Sequence, residues 1–200
     1  MAGTHGIVIG GSLAGLCAAR VLRDHLDHVT VVDRDVFSDG AVDRAGVAHG
    51  RHPHALLARG RQELEHLFPG FDRLMLARGA LDLDFGCEFV ALRPLGWQPR
   101  RPAGLRALFA SRLLLEFVVR DLFRRLPNVT VIERTDVTEI VPSRNGTLRV
   151  AGVRTRSRDG GAAGEVGGDV VIDASGRTSK APEWLRGLGL EPPEETVVDS

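Results

Sequence analysis

The sequence predicts an α/β fold built around a parallel β-sheet. Two runs rich in β-branched residues near the N-terminus, His5–Ile9 and residues 28–33, are typical of strands that are buried on both faces of such a sheet. Between them, a glycine-rich turn at residues 10–12 leads into an apolar segment, residues 13–26, that is long enough to form a helix. This order of elements predicts a βαβ unit at the start of the chain.

Three further segments are expected to be helices. Residues 53–68 begin with a proline, which suits the first turn of a helix, and they are followed by a Pro-Gly pair that would stop it. Residues 112–126 carry an apolar stripe at helical spacing, and Ser111 is placed to cap the N-terminus of that helix. A shorter helix is expected around residues 181–188.

The second half of the chain has the pattern of a β-meander. The pair Asn145-Gly146 is a strong hairpin signal, and it lies between the extended segments 139–143 and 147–156. The Gly-rich residues 160–168 are interpreted as a flexible hairpin tip. Short strands are also expected at residues 85–92, 129–133 and 169–173.

Composition excludes several classes of function. The chain has 200 residues, enough for one domain, and its 26 basic and 26 acidic residues give a net charge of zero, with no concentrated basic patch. A nucleic-acid partner is therefore not expected, and a small-molecule partner is. Cys17 and Cys87 are too far apart in sequence to form a CxxC motif, which favours a reducing, cytoplasmic location. No apolar run approaches the ~20 residues of a membrane span.

The glycine-rich turn carries the strongest chemical signal. The dinucleotide-binding fingerprint of Rossmann-like folds requires glycine at its first, third and sixth positions, and here Ser12 occupies the third. Asp33, at the end of the second strand, is placed to accept hydrogen bonds from both hydroxyls of an adenosine ribose. Its charge disfavours a 2′-phosphate and hence NADP at this site. The alternative is a glycine turn that binds nothing.

Beyond this turn, four separated blocks carry a resemblance to a known family. The first two, residues 8–16 and 31–35, resemble the start of FAD-dependent monooxygenases of the p-hydroxybenzoate hydroxylase class. Residues 44–57 and 173–185 resemble a squalene-epoxidase-like bacterial subgroup of that class, with its Arg-x-Gly-Val, His-x-His-x-Leu and Asp-Ala-Ser-Gly-Arg segments. Together the blocks extend over nearly the whole chain.

The resemblance implies an FAD site and a role for each of its residues. The FAD pyrophosphate would lie against the turn and Asp33 would bind the ribose, while Arg44 and Arg112 would lie near the phosphates and the flavin, and the backbone of Val137 near the adenine. NAD(P)H would be the electron donor. The full set of expected cofactor-binding residues is Gly10, Gly11, Ser12, Leu13, Ala14, Gly15, Asp33, Arg34, Arg44, Arg112, Val137, Asp173 and Gly176. No residue is assigned a catalytic role.

The resemblance also implies what the chain lacks. The family continues for about as many residues again, with a substrate-binding sheet, so residues 1–200 are expected to form a Rossmann-like FAD-binding domain without most of the substrate domain. A partner chain could supply that half. Three interpretations stay open: a monooxygenase acting on a small organic substrate, a reductase or halogenase on the same scaffold, and a non-catalytic nucleotide-binding fragment.

Three histidines form the pattern HxxHxH at His49, His52 and His54. No cysteine or acid nearby completes a tetrahedral metal site. A metal site, a loop beside the flavin, and ordinary capping or surface histidines all remain open, with no metal expected.

Overall fold

The computed structural model describes residues 3–44, 50, 52–143 and 148–196. The described strands are, in chain order, β1 (His5–Ile9), β2 (His28–Val32), β3 (Pro53–Leu56), β4 (Leu81–Asp84), β5 (Leu92–Arg93), β6 (Gly96–Trp97), β7 (Arg106–Ser111), β8 (Val129–Ile132), β9 (Thr135–Pro142), β10 (Val150–Ser157), β11 (Ala163–Gly167) and β12 (Val170–Asp173). The described helices are α1 (Leu13–Leu22), α2 (Ala58–Leu67), α3 (Phe71–Ala77), α4 (Arg112–Phe123) and α5 (Ala181–Gly187), with a 3₁₀ turn at Gly176–Thr178.

The chain divides into two compact units, of which the first comprises Met1–Val36 and Pro127–Ser200. Its centre is a four-stranded parallel sheet in the order β12-β1-β2-β8. The two central strands, β1 and β2, are rich in Val and Ile because helix α1 and the sheet β11-β10-β9 leave little of them exposed, while the outer strands β8 and β12 are only partly buried. The structure confirms the predicted α/β class, the opening βαβ unit, the parallel sheet and the meander.

The second unit, Phe37–Leu126, has a three-stranded antiparallel sheet in the order β3-β7-β4 and the helices α2, α3 and α4. Helix α4 begins where it was predicted to begin, and the Ser111 hydroxyl accepts a hydrogen bond from the Leu114 amide at 3.2 Å. Its buried face includes Leu115, Val118, Val119 and Phe123. Strands β5 and β6 form a separate two-stranded hairpin.

The predicted helix at residues 53–68 is wrong over its first turn. Residues Pro53–Leu56 form β3, which pairs antiparallel with β7, and α2 begins only at Ala58. Proline is tolerated there because β3 is an edge strand, so no neighbour needs the missing amide hydrogen. Local sequence favours a helix start, and pairing with a strand more than fifty positions away overrides it.

Three other expectations are corrected. Residues 163–167, expected as part of a flexible hairpin tip, form β11, which pairs with β10. The hydrogen bonds between the two strands use only backbone groups, and the glycines let the strands approach closely. Most of the segment 85–92 is a turn, with β4 before it and β5 after it. Helices α1 and α4 end three to four residues earlier than predicted, and α3 was not predicted. The Asn145-Gly146 pair lies outside the described residues.

Candidate functional site

The turn after β1 has a backbone that only glycine adopts comfortably. Gly10 has φ +100°, and its amide donates to the carbonyl of Val32 at 2.8 Å. A Cβ at this position would lie 2.6 Å from the carbonyl oxygen of Ala174, which is well inside van der Waals contact. The glycine turn is thereby held between the ends of β2 and β12.

Gly15 is required for a different reason. A Cβ there would lie 1.8 Å from the carbonyl oxygen of Gly10 and 3.4 Å from a methyl group of Val8. Helix α1 can therefore cross β1 closely only because Gly15 has no side chain. These two glycines let the turn, residues 10–15, pack closely against β1 and the loop after β12, and this close-packed turn is termed the glycine cradle.

The N-terminus of α1 points its amides at this cradle. Ser12 is the N-cap residue, with extended backbone and no capping hydrogen bond from its side chain. The first amides of any α-helix lack intrahelical acceptors, and together with the helix dipole they attract anions. The first turn of α1 contains no acidic residue, so no carboxylate of that turn would repel an anionic ligand or take its place. Burial raises the pKa of the Cys17 thiol one turn on, which keeps it uncharged near neutral pH.

Asp33 lies directly after β2 and is only 6% exposed. Its carboxylate accepts a hydrogen bond from the amide of Gly11 and another, at 2.7 Å, from the amide of Asp35. A carboxylate has about four acceptor positions, so it can accept hydrogen bonds from several donors at once. Asp33 was predicted to lie near the glycine turn, and in the structure its carboxylate is in direct contact with Gly11 of that turn. Arg34, the next residue, is exposed.

Asp173 ends β12 at the same edge of the sheet, because it pairs with Ile9 of β1. Its carboxylate organises the loop that follows: it accepts from the Ser175 amide at 2.9 Å and from the Ser179 hydroxyl at 2.5 Å. Gly176 has φ +81° and is exposed at the start of the 3₁₀ turn. These contacts give Asp173 a structural role in this loop, and its role toward the cofactor stays a prediction.

The strand order explains why these residues meet. The chain passes from β1 outward to β2 and β8, and then returns to place β12 on the other side of β1. Such a reversal opens a crevice at the carboxyl ends of parallel strands, and ligands of α/β proteins bind there. Gly10, Asp33 and Asp173 all lie at that edge. Val137 lies on β9, where its side chain packs against the core cluster around Ile9.

The second unit contains the two arginines that sequence singled out, and both contact one acid. Nε and Nη2 of Arg112 donate to Oε1 of Glu116 at 3.1 and 2.8 Å, and Nη1 of Arg44 lies 3.6 Å from Oε2. Glu116 is only 3% exposed. The guanidinium groups of Arg44 and Arg120 lie 5.2 and 5.8 Å from the ring centroid of Phe37, within cation–π range.

No pattern used for the sequence predictions singles out Glu116, Arg120 or Phe37. A signal was present, because Glu116 and Arg120 are both one turn from a neighbour of opposite charge and both interrupt the apolar face of α4. A charged residue on a buried helix face needs a partner of opposite charge. The contact between Glu116 and Arg44 joins distant parts of the sequence and could not be assigned without the fold.

The histidine pattern is only partly within the described residues, since His49 lies outside them. His52 is exposed, and Nδ1 of His54, on β3, lies 3.0 Å from the His52 carbonyl oxygen. Across the described ranges, no group of three or more His, Cys, Asp or Glu residues is arranged to hold a metal ion. Nor does any helix in those ranges have the length and hydrophobicity to cross a bilayer.

Comparison with known proteins gives one curated relative at substantial identity. Protein Rv3254 of Mycobacterium tuberculosis is 39% identical over 203 residues, which cover 98% of this chain and 42% of that protein. The chain thus spans less than half the length of the relative that it matches. No protein-family model matches the chain.

Solved structures share the fold at low sequence identity. THI4 of Thermovibrio ammonificans superposes with a TM-score of 0.63 at 17% identity, over 94% of this chain and 64% of that one. The flavin-dependent monooxygenase PieE, solved in complex with FAD and substrate, gives 0.62 at 21% identity, over 92% of this chain and 32% of PieE. The p-nitrophenol 4-monooxygenase PnpA of Pseudomonas putida gives 0.63 at 17%, over 91% and 44%. The α/β fold of this chain therefore corresponds to a part of each of these longer proteins.

Proposed function

We propose that the chain binds FAD and forms the FAD-binding part of a flavin-dependent oxidoreductase. The observation that carries this proposal is the contact between Asp33 and Gly11, which places a buried carboxylate beside a glycine cradle at the N-terminus of α1. A diphosphate and the ribose next to it are the two parts of a dinucleotide that such a pair of sites would take.

The residues present fit this cofactor. The cradle exists because Gly10 and Gly15 lack a Cβ, and the first turn of α1 has no acid to repel phosphate. Amides of the first turn of α1, residues 13–15, would hold the diphosphate, and Asp33 would accept from the ribose hydroxyls. The roles of Arg34, Arg44, Arg112, Val137, Asp173 and Gly176 toward the cofactor stay predictions.

Among flavin-dependent oxidoreductases, we favour a monooxygenase that takes electrons from NAD(P)H and acts on a small organic substrate. Two facts support this choice: the four sequence blocks described above, and a fold shared with PieE and PnpA, which are monooxygenases. FAD supplies the redox chemistry in such enzymes, while the protein binds, orients and shields the flavin. The fold is also shared with the halogenase CndH, so a halogenase remains the alternative enzyme.

A second candidate is a non-catalytic nucleotide-binding protein, or one that acts only with a partner chain. The chain spans 42% of its curated relative, and no residue of the chain has been assigned a catalytic role, so binding is proposed separately from turnover. Both candidates predict that the chain binds FAD, and only the first predicts that it oxidises NAD(P)H with an organic substrate.

Titration of the purified chain with FAD, ADP and riboflavin tests the proposal. If the chain recognises the diphosphate and the ribose, FAD is expected to bind, with quenching of its flavin fluorescence or a shift of its flavin absorption bands. ADP is expected to compete with FAD. Riboflavin, which has neither phosphate nor adenosine, is expected neither to bind nor to compete. Failure of FAD to bind would overturn the proposal. If FAD binds, NADH or NADPH oxidation that rises with added organic substrate favours the enzyme, and binding without oxidation favours the second candidate.

A further inference from the structure

A hairpin in the second unit displays large apolar side chains to solvent. Leu92 is 65% exposed and Trp97 is 67% exposed, and Leu95, in the turn between β5 and β6, is fully exposed. Val90 and Leu105, at the base, are also mostly exposed. Soluble proteins rarely gather such residues at one place without a binding partner.

The hairpin is also basic. Residues 85–105 contain three arginines, Arg93, Arg100 and Arg101, and one acid, Glu88, which gives this segment a formal charge of +2 in a chain whose net charge is zero. All three arginines are exposed. The segment therefore combines an apolar tip with cationic flanks.

The base of the hairpin holds the tip in place. The carboxylate of Asp84 accepts hydrogen bonds from the amides of Gly86 at 2.6 Å and Gly104 at 2.8 Å, one on each arm. The rings of Phe85, Phe89 and Phe109 pack together with centroid distances of 5.3 to 5.8 Å. Two cross-arm backbone bonds, from Arg101 to Gly86 and from Gln98 to Ala91, complete the support. The exposed leucines and tryptophan thus belong to an ordered projection.

We propose that this hairpin, residues 85–105, docks on the surface of an anionic phospholipid bilayer. A projecting tip with Leu95 at its end suits a soft interface, in which the leucine enters the acyl region and tryptophan lies at the headgroup level. The arginines reach the anionic headgroups while their methylene stems lie along the apolar boundary. Charge complementarity selects an anionic surface over a neutral one. This inference is independent of the proposed cofactor.

Vesicle binding by the purified chain tests it. Phosphatidylcholine vesicles are compared with vesicles of equal parts phosphatidylcholine and phosphatidylglycerol, by co-sedimentation and by quenching of tryptophan emission with brominated lipid. The wild type is expected to bind the anionic vesicles and to be quenched. In Trp97→Phe only Trp184 emits, and because its indole donates to the Thr138 carbonyl at 2.9 Å within the first unit, its emission is expected to stay unquenched.

Variants separate the apolar and the charge contributions. Leu95→Asp is expected to lower the partition coefficient roughly tenfold or more. Replacing Arg100 and Arg101 together by glutamine is expected to lower it by about thirtyfold on anionic vesicles. The matched controls, Leu57→Asp and the pair Arg59→Gln with Arg186→Gln, change exposed residues outside the hairpin and are expected to bind like the wild type.

Four results would overturn the inference. They are absence of binding to anionic vesicles, equal binding to neutral ones, wild-type binding by the hairpin variants, and burial of Trp97 through concentration-dependent self-association without lipid. The last would assign the hairpin to an interface between copies of this chain.

Discussion

The carboxylate of Asp33 accepts a hydrogen bond from the backbone amide of Gly11, and this bond ties the end of β2 to the turn that follows β1. The acid that we expect to bind a ribose therefore also shapes the turn that we expect to bind a diphosphate. Two substitutions weaken these roles to different degrees, because asparagine keeps an acceptor for one of the two backbone amides that Asp33 binds and alanine keeps none.

Asp33→Asn is expected to bind FAD roughly ten- to a hundredfold more weakly, since a hydrogen bond to a charged group contributes ~1.5–3 kcal/mol, and to lose about 1 kcal/mol of stability, because its single oxygen can accept from only one of the Gly11 and Asp35 amides. Asp33→Ala is expected to lower both FAD affinity and the melting temperature, because the Gly11 amide also loses its acceptor. FAD titration and thermal unfolding measure the two effects. Asp39→Asn, which removes an acid with a side chain that is 96% exposed, is the control. Unchanged affinity in Asp33→Asn would show that this carboxylate does not bind the cofactor.

Gly15→Ala tests the cradle itself. The added Cβ would meet the Gly10 carbonyl oxygen at 1.8 Å, and backbone atoms cannot move aside as a flexible side chain can. We expect a loss of at least ~3 kcal/mol in the free energy of unfolding, at the upper end of overpacking effects. Urea denaturation measures it.

Gly187→Ala is the matched control for that substitution. Gly187 lies in α5 with no atom within 4 Å of its added Cβ, so alanine there should be neutral or slightly stabilising. Equal stability of the two variants would mean that strand and helix are not as close as the structure has them.

Features that depend on residues close together in the sequence could be predicted, and features that depend on distant residues could not. The βαβ unit, the cradle and Asp33 lie within about thirty residues, and their pattern carries the turn chemistry with it. The N-cap of α4 is equally local. Strand β3 could not be predicted in this way, because its partner β7 lies more than fifty positions away and Pro53 alone favours a helix start. The Arg44–Glu116 contact joins residues seventy-two positions apart, and no local pattern pairs them.

Asp84 is expected to make part of the stability of the second unit depend on pH. Hydrogen bonds from the amides of Gly86, Ala103 and Gly104 hold the pKa of its carboxyl below the usual range. A carboxyl with a lowered folded-state pKa stabilises the fold above its unfolded pKa of about 4, and this contribution is lost as the pH falls through the folded value. Asp84→Asn should therefore melt below the wild type at neutral pH, and the difference should shrink below about pH 4. A difference that does not change with pH would contradict this explanation.

Ser111→Ala should cost about 1 kcal/mol in the free energy of unfolding, because the Leu114 amide loses its capping acceptor. Ser111→Asp should restore most of the loss, since an aspartate at the same position caps equally well and also favours the positive end of the helix dipole. Denaturant unfolding of the three proteins checks both statements. Equal stability of the alanine variant and the wild type would show that α4 does not depend on this cap.

A crystal of the chain soaked with FAD tests the central proposal most directly. We expect density for the diphosphate within hydrogen-bonding distance of the backbone amides at the start of α1, and for the adenosine ribose within the same distance of the Asp33 carboxylate. A crevice that stays empty at saturating FAD, or a dinucleotide bound elsewhere with Asp33 untouched, would contradict it.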